Sequence, residues 1–103
     1  MAKKLVTVGD VTVTTAGTRV RVTATETQCE SIIFQGHPSN TGYIYFGDTL
    51  VSATRGTALE AKQAGTVAPA KEGEGGELMD LSDFWVDASV NGEKVKVSYI
   101  ARR

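Results

Sequence analysis

β-Branched residues dominate this chain and constrain its fold more than any other feature. Threonine, valine and isoleucine together supply 29 of the 103 residues, against five leucines and two methionines. β-Branched side chains are stiff about their first torsion and pack well on a pleated sheet. Good helix formers dominate only residues 58–64. The sequence therefore predicts an all-β protein.

The length and the distribution of apolar residues predict one domain over residues 1–103, with a single packed core. Apolar runs such as residues 32–34 are far too short to cross a bilayer, so we expect no membrane partner. The first residues lack the apolar stretch of a secretory signal. A single cysteine, Cys29, cannot form an internal disulfide, which fits folding in a reducing cytosol.

Alternation of apolar and polar residues recurs in short blocks separated by turn residues. The blocks predict strands over residues 5–8, 11–13, 19–24, 29–35, 43–46, 84–90 and 93–100, with shorter candidates at 50–52, 57–59 and 66–68. The block 29–35 is almost continuously apolar, as in a central strand covered on both faces. Asn91-Gly92 predicts a type I′ turn joining the last two strands in a hairpin. Seven to nine short strands without a long helix predict a single-domain β-sandwich of the jelly-roll type.

Two segments are predicted to extend from this sandwich. Residues 69–80 contain three glycines and three glutamates and few apolar side chains, which predicts a mobile acidic loop. Residues 1–8 are predicted to form an N-terminal arm. In that arm Lys3 and Lys4 precede an alternating strand that could pair with a sheet edge of a neighbouring chain. The alternative is an ordinary first strand of the chain's own sandwich.

The formal net charge of −1 hides a segregation of charge along the chain. Residues 1–22 carry four basic side chains and one acidic one, and residues 88–103 repeat those numbers. Residues 60–87 carry seven acidic and two basic side chains. Because no basic run is interleaved with aromatic residues, we expect no direct nucleic-acid partner. Separated charges favour self-association or docking, and a mixed solvated surface is the alternative.

No motif for catalysis or metal binding stands out. His37 is the only histidine, so it has no second histidine or thiolate cluster with which to share a metal. Its place before Pro38 favours a turn residue bonded to the local backbone. Cys29 with His37 could supply a thiol nucleophile and a base, but a cysteine beginning an apolar strand is more typical of a buried thiol. We therefore predict a protein that is not an enzyme and has no catalytic residue, metal or cofactor.

Three aromatic residues are the candidates for a binding surface. Tyr43 and Tyr45 lie on the strand face opposite Ile44 and Phe46, and Trp85 lies opposite its own apolar neighbours. If those neighbours face the core, the three aromatic rings face outward. Outward aromatic rings favour a protein partner or stacked sugar rings. The alternative is that both faces of these strands are partly buried.

The stretch from Ser31 to Asp48 resembles small virion proteins of tailed double-stranded-DNA bacteriophages. In these proteins an apolar strand leads into Asn-Thr-Gly-x-Ile-Tyr-x-Gly, which stands here at residues 40–47. Residues 81–88 and the closing Asn91-Gly92 continue the similarity, which extends in outline from about residue 30 to about residue 100. The family's usual middle turn, similar to Leu-x-Pro-Gly-Glu, is replaced here by residues 59–65 and a longer acidic insertion.

The resemblance implies a structural protein rather than an enzyme. It suggests a jelly-roll decoration, or cement, protein that binds the outer capsid surface and clamps neighbouring copies of the major capsid protein. A neck, tail or head-fibre component of the virion is the alternative, and a carbohydrate-binding β-sandwich module is a second one. We expect self-association, with a trimer favoured, and a location on the capsid exterior after assembly in the host cytoplasm. The predicted interface residues are Lys3, Lys4, Val6, Tyr43, Tyr45 and Trp85.

Overall fold

Strands make up nearly all of the regular structure in the computed structural model, which describes residues 3–68 and 78–102. In chain order the strands are β1 (Lys3–Val13), β2 (Val20–Arg21), β3 (Gln28–Cys29), β4 (Ser31–Gly36), β5 (Ile44–Gly47), β6 (Thr57–Leu59), β7 (Ala64–Val67), β8 (Met79–Asp80), β9 (Trp85–Ala88) and β10 (Glu93–Arg102). The one helix among these residues is a 3-10 turn at Leu81–Asp83. The prediction of an all-β fold is confirmed. The ten strands of the described residues slightly exceed the predicted seven to nine. Three of the ten, β2, β3 and β8, are only two residues long.

The strands form two four-stranded sheets and a short ribbon. Sheet A has the order β1-β10-β4-β7, sheet B has the order β2-β9-β5-β6, and β3 pairs with β8. All of these pairings are antiparallel. The pairing is nested, because the first strand pairs with the last, the second with the ninth, and so on inward to β5 with β6. Two further pairings, β10 with β4 and β9 with β5, complete the sheets of the sandwich.

The core lies between the two sheets and is built from alternate residues of their strands. Phe34 of sheet A stacks on Phe46 of sheet B, with 4.4 Å between ring centroids. Ile44 is fully buried beside it, and Val95 and Val97 of β10 are at most 1% exposed. The alternation predicted for β5 and β10 is therefore confirmed. Burial of such side chains supplies the main stabilising free energy of a sandwich.

Two predicted strands at the N terminus are one strand. Residues 5–8 and 11–13 both belong to β1, and the register shift between Thr7 and Gly9 accommodates Val8 as a bulge. Gly9 has a φ of 107°, a conformation that side-chain-bearing residues rarely adopt. The glycine that looked like a strand break is therefore a bulge residue. Such bulges bend a strand without ending it.

The prediction of a hairpin with a type I′ turn at Asn91-Gly92 is wrong. β9 belongs to sheet B and β10 to sheet A, so the turn crosses between the sheets. Gly92 has a φ of 82°, but Asn91 does not have the positive φ that a type I′ turn requires. The turn is held instead by β1 and the loop after it. The Gly92 amide donates to the Val13 carbonyl, and the Ala16 amide donates to Asn91 Oδ1.

Other strand boundaries also differ from the predictions. Residues 29–35 are not one strand covered on both faces, because β3 ends at Cys29 and side chains of β4 are buried only alternately. The strand predicted over 19–24 is reduced to β2, and Ala24 is exposed. The strand predicted over 84–90 ends at Ala88, and Val90 is 42% exposed.

The predicted acidic loop lies mainly outside the described residues. Of residues 69–80, only the last three are described, and they contain β8. Asp80 of β8 caps the 3-10 turn that follows, because its Oδ1 accepts from the amide and the hydroxyl of Ser82 and from the Thr27 amide. These bonds hold the pKa of the Asp80 carboxyl below its ordinary value. No helix in the described part of the chain is long and apolar enough to cross a membrane.

Candidate docking surfaces

The outer face of sheet B carries the tyrosines predicted to face outward. Tyr43 and Tyr45 alternate with the buried Ile44 and Phe46. Their rings are roughly parallel, with centroids 6.4 Å apart. Tyr43 is 46% exposed and Tyr45 is half-buried. The pair therefore offers one aromatic surface to a partner.

Trp85 lies on the same outer face, and two arginines cover its ring. Arg21 of β2 is its partner in the register between β2 and β9. The guanidinium carbon of Arg21 is 5.9 Å from the ring centroid and that of Arg19 is 5.7 Å away. Both distances are within the range of a cation–π contact. Trp85 is therefore the centre of a charged cluster, and we call Arg19, Arg21 and Trp85 the arginine–tryptophan cluster.

The loop between β1 and β2 folds over this face at Asp87. Asp87 is the register partner of Tyr45, yet it is only 3% exposed. Its Oδ1 accepts hydrogen bonds from the Gly17 amide and from the amide of Ala88. A surface cavity of about 510 Å³ lies beside it, lined by the same loop and by residues 52–54. The outer face of sheet B is therefore a contoured surface, not a flat platform of three rings.

The second candidate surface is the outer edge of β1, which is the end strand of sheet A. Leu5 is 59% exposed and Val8 is 40% exposed. Lys4 is also exposed, whereas Val6 is half-buried opposite Tyr99. Residues 3–7 pair with β10 and Val8 is the bulge that follows, so residues 3–8 are part of a strand of the sandwich and not a detached arm. Their outer backbone edge still faces no strand of the described chain.

Lys3 has an internal partner. Its Nζ lies 3.2 Å from Oε1 of Glu30, whose side chain is only 8% exposed. This ion pair connects Lys3 to a carboxylate inside the fold, so Lys3 is not available only to an outside partner. The predicted interface residues thus divide between two surfaces. Lys3, Lys4 and Val6 belong to the β1 edge of sheet A, and the three aromatic residues belong to the outer face of sheet B.

His37 bonds within its own turn. Its Nδ1 lies 3.1 Å from the Ser39 amide and 2.8 Å from Ser39 Oγ. Nε2 lies 3.7 Å from Oδ2 of Asp10, and Lys96 Nζ lies 3.4 Å from the other oxygen of that carboxylate. These contacts join the 36–42 loop to the outer face of sheet A.

Cys29 is fully buried, and burial raises the pKa of its thiol to about 11. Since the thiolate is the reactive form, this cysteine is a poor nucleophile at neutral pH. Among residues 3–68 and 78–102, no group of three His, Cys, Asp or Glu side chains is placed to hold a metal ion.

The loop with the Asn-Thr-Gly sequence has a structural explanation. Glu93 is 4% exposed, and its Oε1 accepts from the Thr41 amide, the Thr41 hydroxyl and the Gly42 amide. Asn40 exchanges two hydrogen bonds with the backbone of Lys94. The loop is therefore fastened to the start of β10.

The two arginines of the cluster were not among the predicted interface residues. Their positions two apart on a strand placed them outward, but nothing in the sequence showed that β2 would pair with β9. Comparison with models of known families gives no match, and comparisons with curated proteins and with solved structures give none either.

Proposed function

We propose that this protein is a structural component of the virion of a tailed bacteriophage, and that it acts as a decoration protein on the capsid exterior. The proposal rests on the resemblance of residues 31–48 and 81–88 to small virion proteins of such phages. The all-β sandwich is compatible with it. The major capsid protein is the proposed partner, on virions assembled in the host cytoplasm.

The nested pairing of strands supports a sandwich of the jelly-roll type. A jelly roll is a long antiparallel hairpin rolled into two four-stranded sheets, an architecture found among viral capsid and lectin domains. Pairing of β1 with β10, β2 with β9, β4 with β7 and β5 with β6 is the pattern that such rolling generates. This pattern of pairing therefore supports a jelly roll as the architecture of the proposed decoration protein.

One observation carries the docking proposal: β1 is an eleven-residue edge strand with exposed apolar side chains. An uncovered sheet edge offers backbone donors and acceptors to a strand of another chain. Leu5 and Val8 add apolar contact, and Lys4 adds attraction to an acidic surface that salt would weaken. Each copy needs to contribute only a modest contact, since capsid symmetry repeats it over the whole shell.

Purified virions test the assignment directly. A decoration protein should be present in numbers comparable to the major capsid protein, and cryo-EM should place it on the outer shell. A neck, tail or head-fibre component, the alternative within the virion, would be present in a few copies at one vertex. Absence from virions would overturn both assignments.

The β1 edge is tested by placing charge on it. In the double variant Leu5→Lys with Val8→Lys, both substituted positions are already exposed, so the fold should persist. Lysines on an edge strand oppose pairing with another strand. We expect this variant to lose most of its occupancy on decoration-free capsids, as measured by cosedimentation.

The matched control places two lysines on the opposite edge of the same sheet. Ala64→Lys with Thr66→Lys modifies exposed positions of β7 and adds the same charge. This control should keep its occupancy. Equal occupancy of both variants would exclude the β1 edge as the docking surface.

Contacts between copies around a capsid three-fold axis, visible in the cryo-EM map of the virion, would support the proposed trimer, and isolated copies would contradict it.

A second candidate function is glycan binding, which the Tyr43–Tyr45 pair favours. Two roughly parallel aromatic rings with one well exposed could stack on sugar rings. The Trp85 ring is less available, because Arg19 and Arg21 cover it. Binding on a glycan array that is lost in Tyr43→Ala would support this function. Lack of binding to any glycan on the array would remove it.

A further inference from the structure

The arginine–tryptophan cluster presents two cationic side chains beside one aromatic ring. Both Arg19 and Arg21 are exposed. The ion pairs found among the described residues involve Lys3, His37 and Lys96, and neither arginine takes part in one. We infer that this cluster is a docking site for a protein partner that presents carboxylate side chains.

The cluster is held in place before any partner arrives. Arg21 Nε donates to the Ser82 carbonyl at 2.6 Å, which fixes the guanidinium beside the indole ring. Arg19 follows a loop that is anchored by the hydrogen bonds from Ala16 to Asn91 and from Gly17 to Asp87. Side chains that are already ordered lose less conformational entropy on binding.

The donors that remain suit carboxylates. A guanidinium has five N–H groups, and the bond from Arg21 to Ser82 uses only the Nε–H. The terminal N–H groups of Arg21 are therefore left for a bidentate pair with a carboxylate. Arg19 places a second guanidinium group next to the same ring. Two adjacent guanidinium groups fit a partner segment that has two acidic residues close together.

The surroundings favour a protein over a nucleic acid. Nucleic-acid binding sites are extended tracks of positive charge that neutralise many phosphates. Here the two arginines lie together at one ring, and the exposed Asp83 lies two residues from Trp85, so the positive charge is confined to a compact patch. Two cations beside one ring can pair with one or two carboxylates, but they do not form such an extended track. Arginine, tryptophan and tyrosine are also the residues most enriched at the energetic centres of protein interfaces.

This inference deepens the proposed function by naming the chemistry of a protein partner, but its test does not use a capsid. Trp85 is the only tryptophan in the chain, so its fluorescence reports on the cluster itself. We expect poly-L-glutamate to change this fluorescence in a saturable way that weakens as salt is added. The variant Arg19→Gln with Arg21→Gln should weaken binding by about tenfold or more, in line with losses at arginine hot spots.

The matched control removes two other exposed cations, Arg55→Gln with Lys62→Gln, and so changes the net charge equally. This control should bind poly-L-glutamate nearly as well as the parent chain. The conservative variant Arg19→Lys with Arg21→Lys keeps the charge but loses the fork geometry, and it should bind with intermediate affinity. Circular dichroism of each variant verifies the fold.

Three results would overturn the inference. One is the absence of a saturable fluorescence change with poly-L-glutamate. Another is an equal loss of affinity in the glutamine variant and in its control, which would show that only net charge matters. The third is tighter binding of a DNA oligonucleotide than of poly-L-glutamate at the same salt concentration, which would identify a polyphosphate site. A capsid assay that fails while poly-L-glutamate binding holds would count against the proposed function alone.

Discussion

The two halves of β1 have similar sequences but opposite surroundings. Val11 and Val13 of the second half pack into the core, and Val13 is fully buried. Leu5 and Val8 of the first half are largely exposed, and Leu5 lies opposite Ile100. The bulge at Val8 and Gly9 separates the halves. Alternation of apolar residues therefore favours a strand, whereas the elements packed against that strand decide whether its apolar side chains are buried.

The largest effect is expected where the second half of β1 ends. Val13 pairs with Glu93, whose buried carboxylate accepts three hydrogen bonds from Thr41 and Gly42. Glu93→Ala should lower the free energy of unfolding by about 3 kcal/mol, because three hydrogen-bond donors lose a charged acceptor whose residue is buried. Urea denaturation measures this loss. Glu93→Gln keeps an acceptor oxygen and should cost clearly less, and equal losses would contradict the hydrogen-bond explanation.

A smaller effect is expected from truncating the buried half itself. Val13→Ala removes two methyl groups from a fully buried site and should cost about 2 kcal/mol. Leu5→Ala is the control in the exposed half, and it should stay within about 0.5 kcal/mol of the parent chain. Urea denaturation of both variants checks the contrast. Similar losses in the two would mean that the first half is buried in solution, for example by another copy.

The smallest effect concerns the bulge between the halves. Gly9→Ala should cost about 1 kcal/mol, because alanine resists the positive φ of Gly9. No other group lies within 4 Å of the position that a Cβ atom at Gly9 would occupy, so steric collision does not contribute. Thermal unfolding provides the measurement. A neutral or stabilising outcome would mean that β1 passes this point without the bulge.

The strands predicted best from the sequence are those in which apolar and polar residues alternate regularly and the apolar side chains of the alternation pack in or against the core. Ile44 and Phe46 on β5, and Val95 and Val97 on β10, face the core as predicted. The Asn91-Gly92 prediction failed because a tight turn fixes a local change of direction and not the neighbour of the next strand. β10 pairs with β1 and β4 instead, where its buried valines complete the core.

At the candidate surfaces too, some features follow from the local sequence pattern and others depend on which strands pair. The outward direction of Tyr43, Tyr45 and Trp85 follows from the two-residue period of a strand. The placement of Arg19 and Arg21 beside Trp85 does not, because it depends on the pairing of β2 with β9 across more than sixty residues of chain. The ion pair of Lys3 with Glu30 is likewise a contact between residues distant in the chain. Lys3, which was predicted to contact a partner, therefore contacts a residue of its own fold.

The sequence by itself determined the fold class and the facing of most strands, since both follow from local torsional preferences and from the period of the apolar residues. Only the tertiary structure decided which strands pair, where β1 bends, and which charged side chains come together. These features depend on contacts between residues distant in the chain. Their free energies arise from packing two sheets together, and no local segment carries that information.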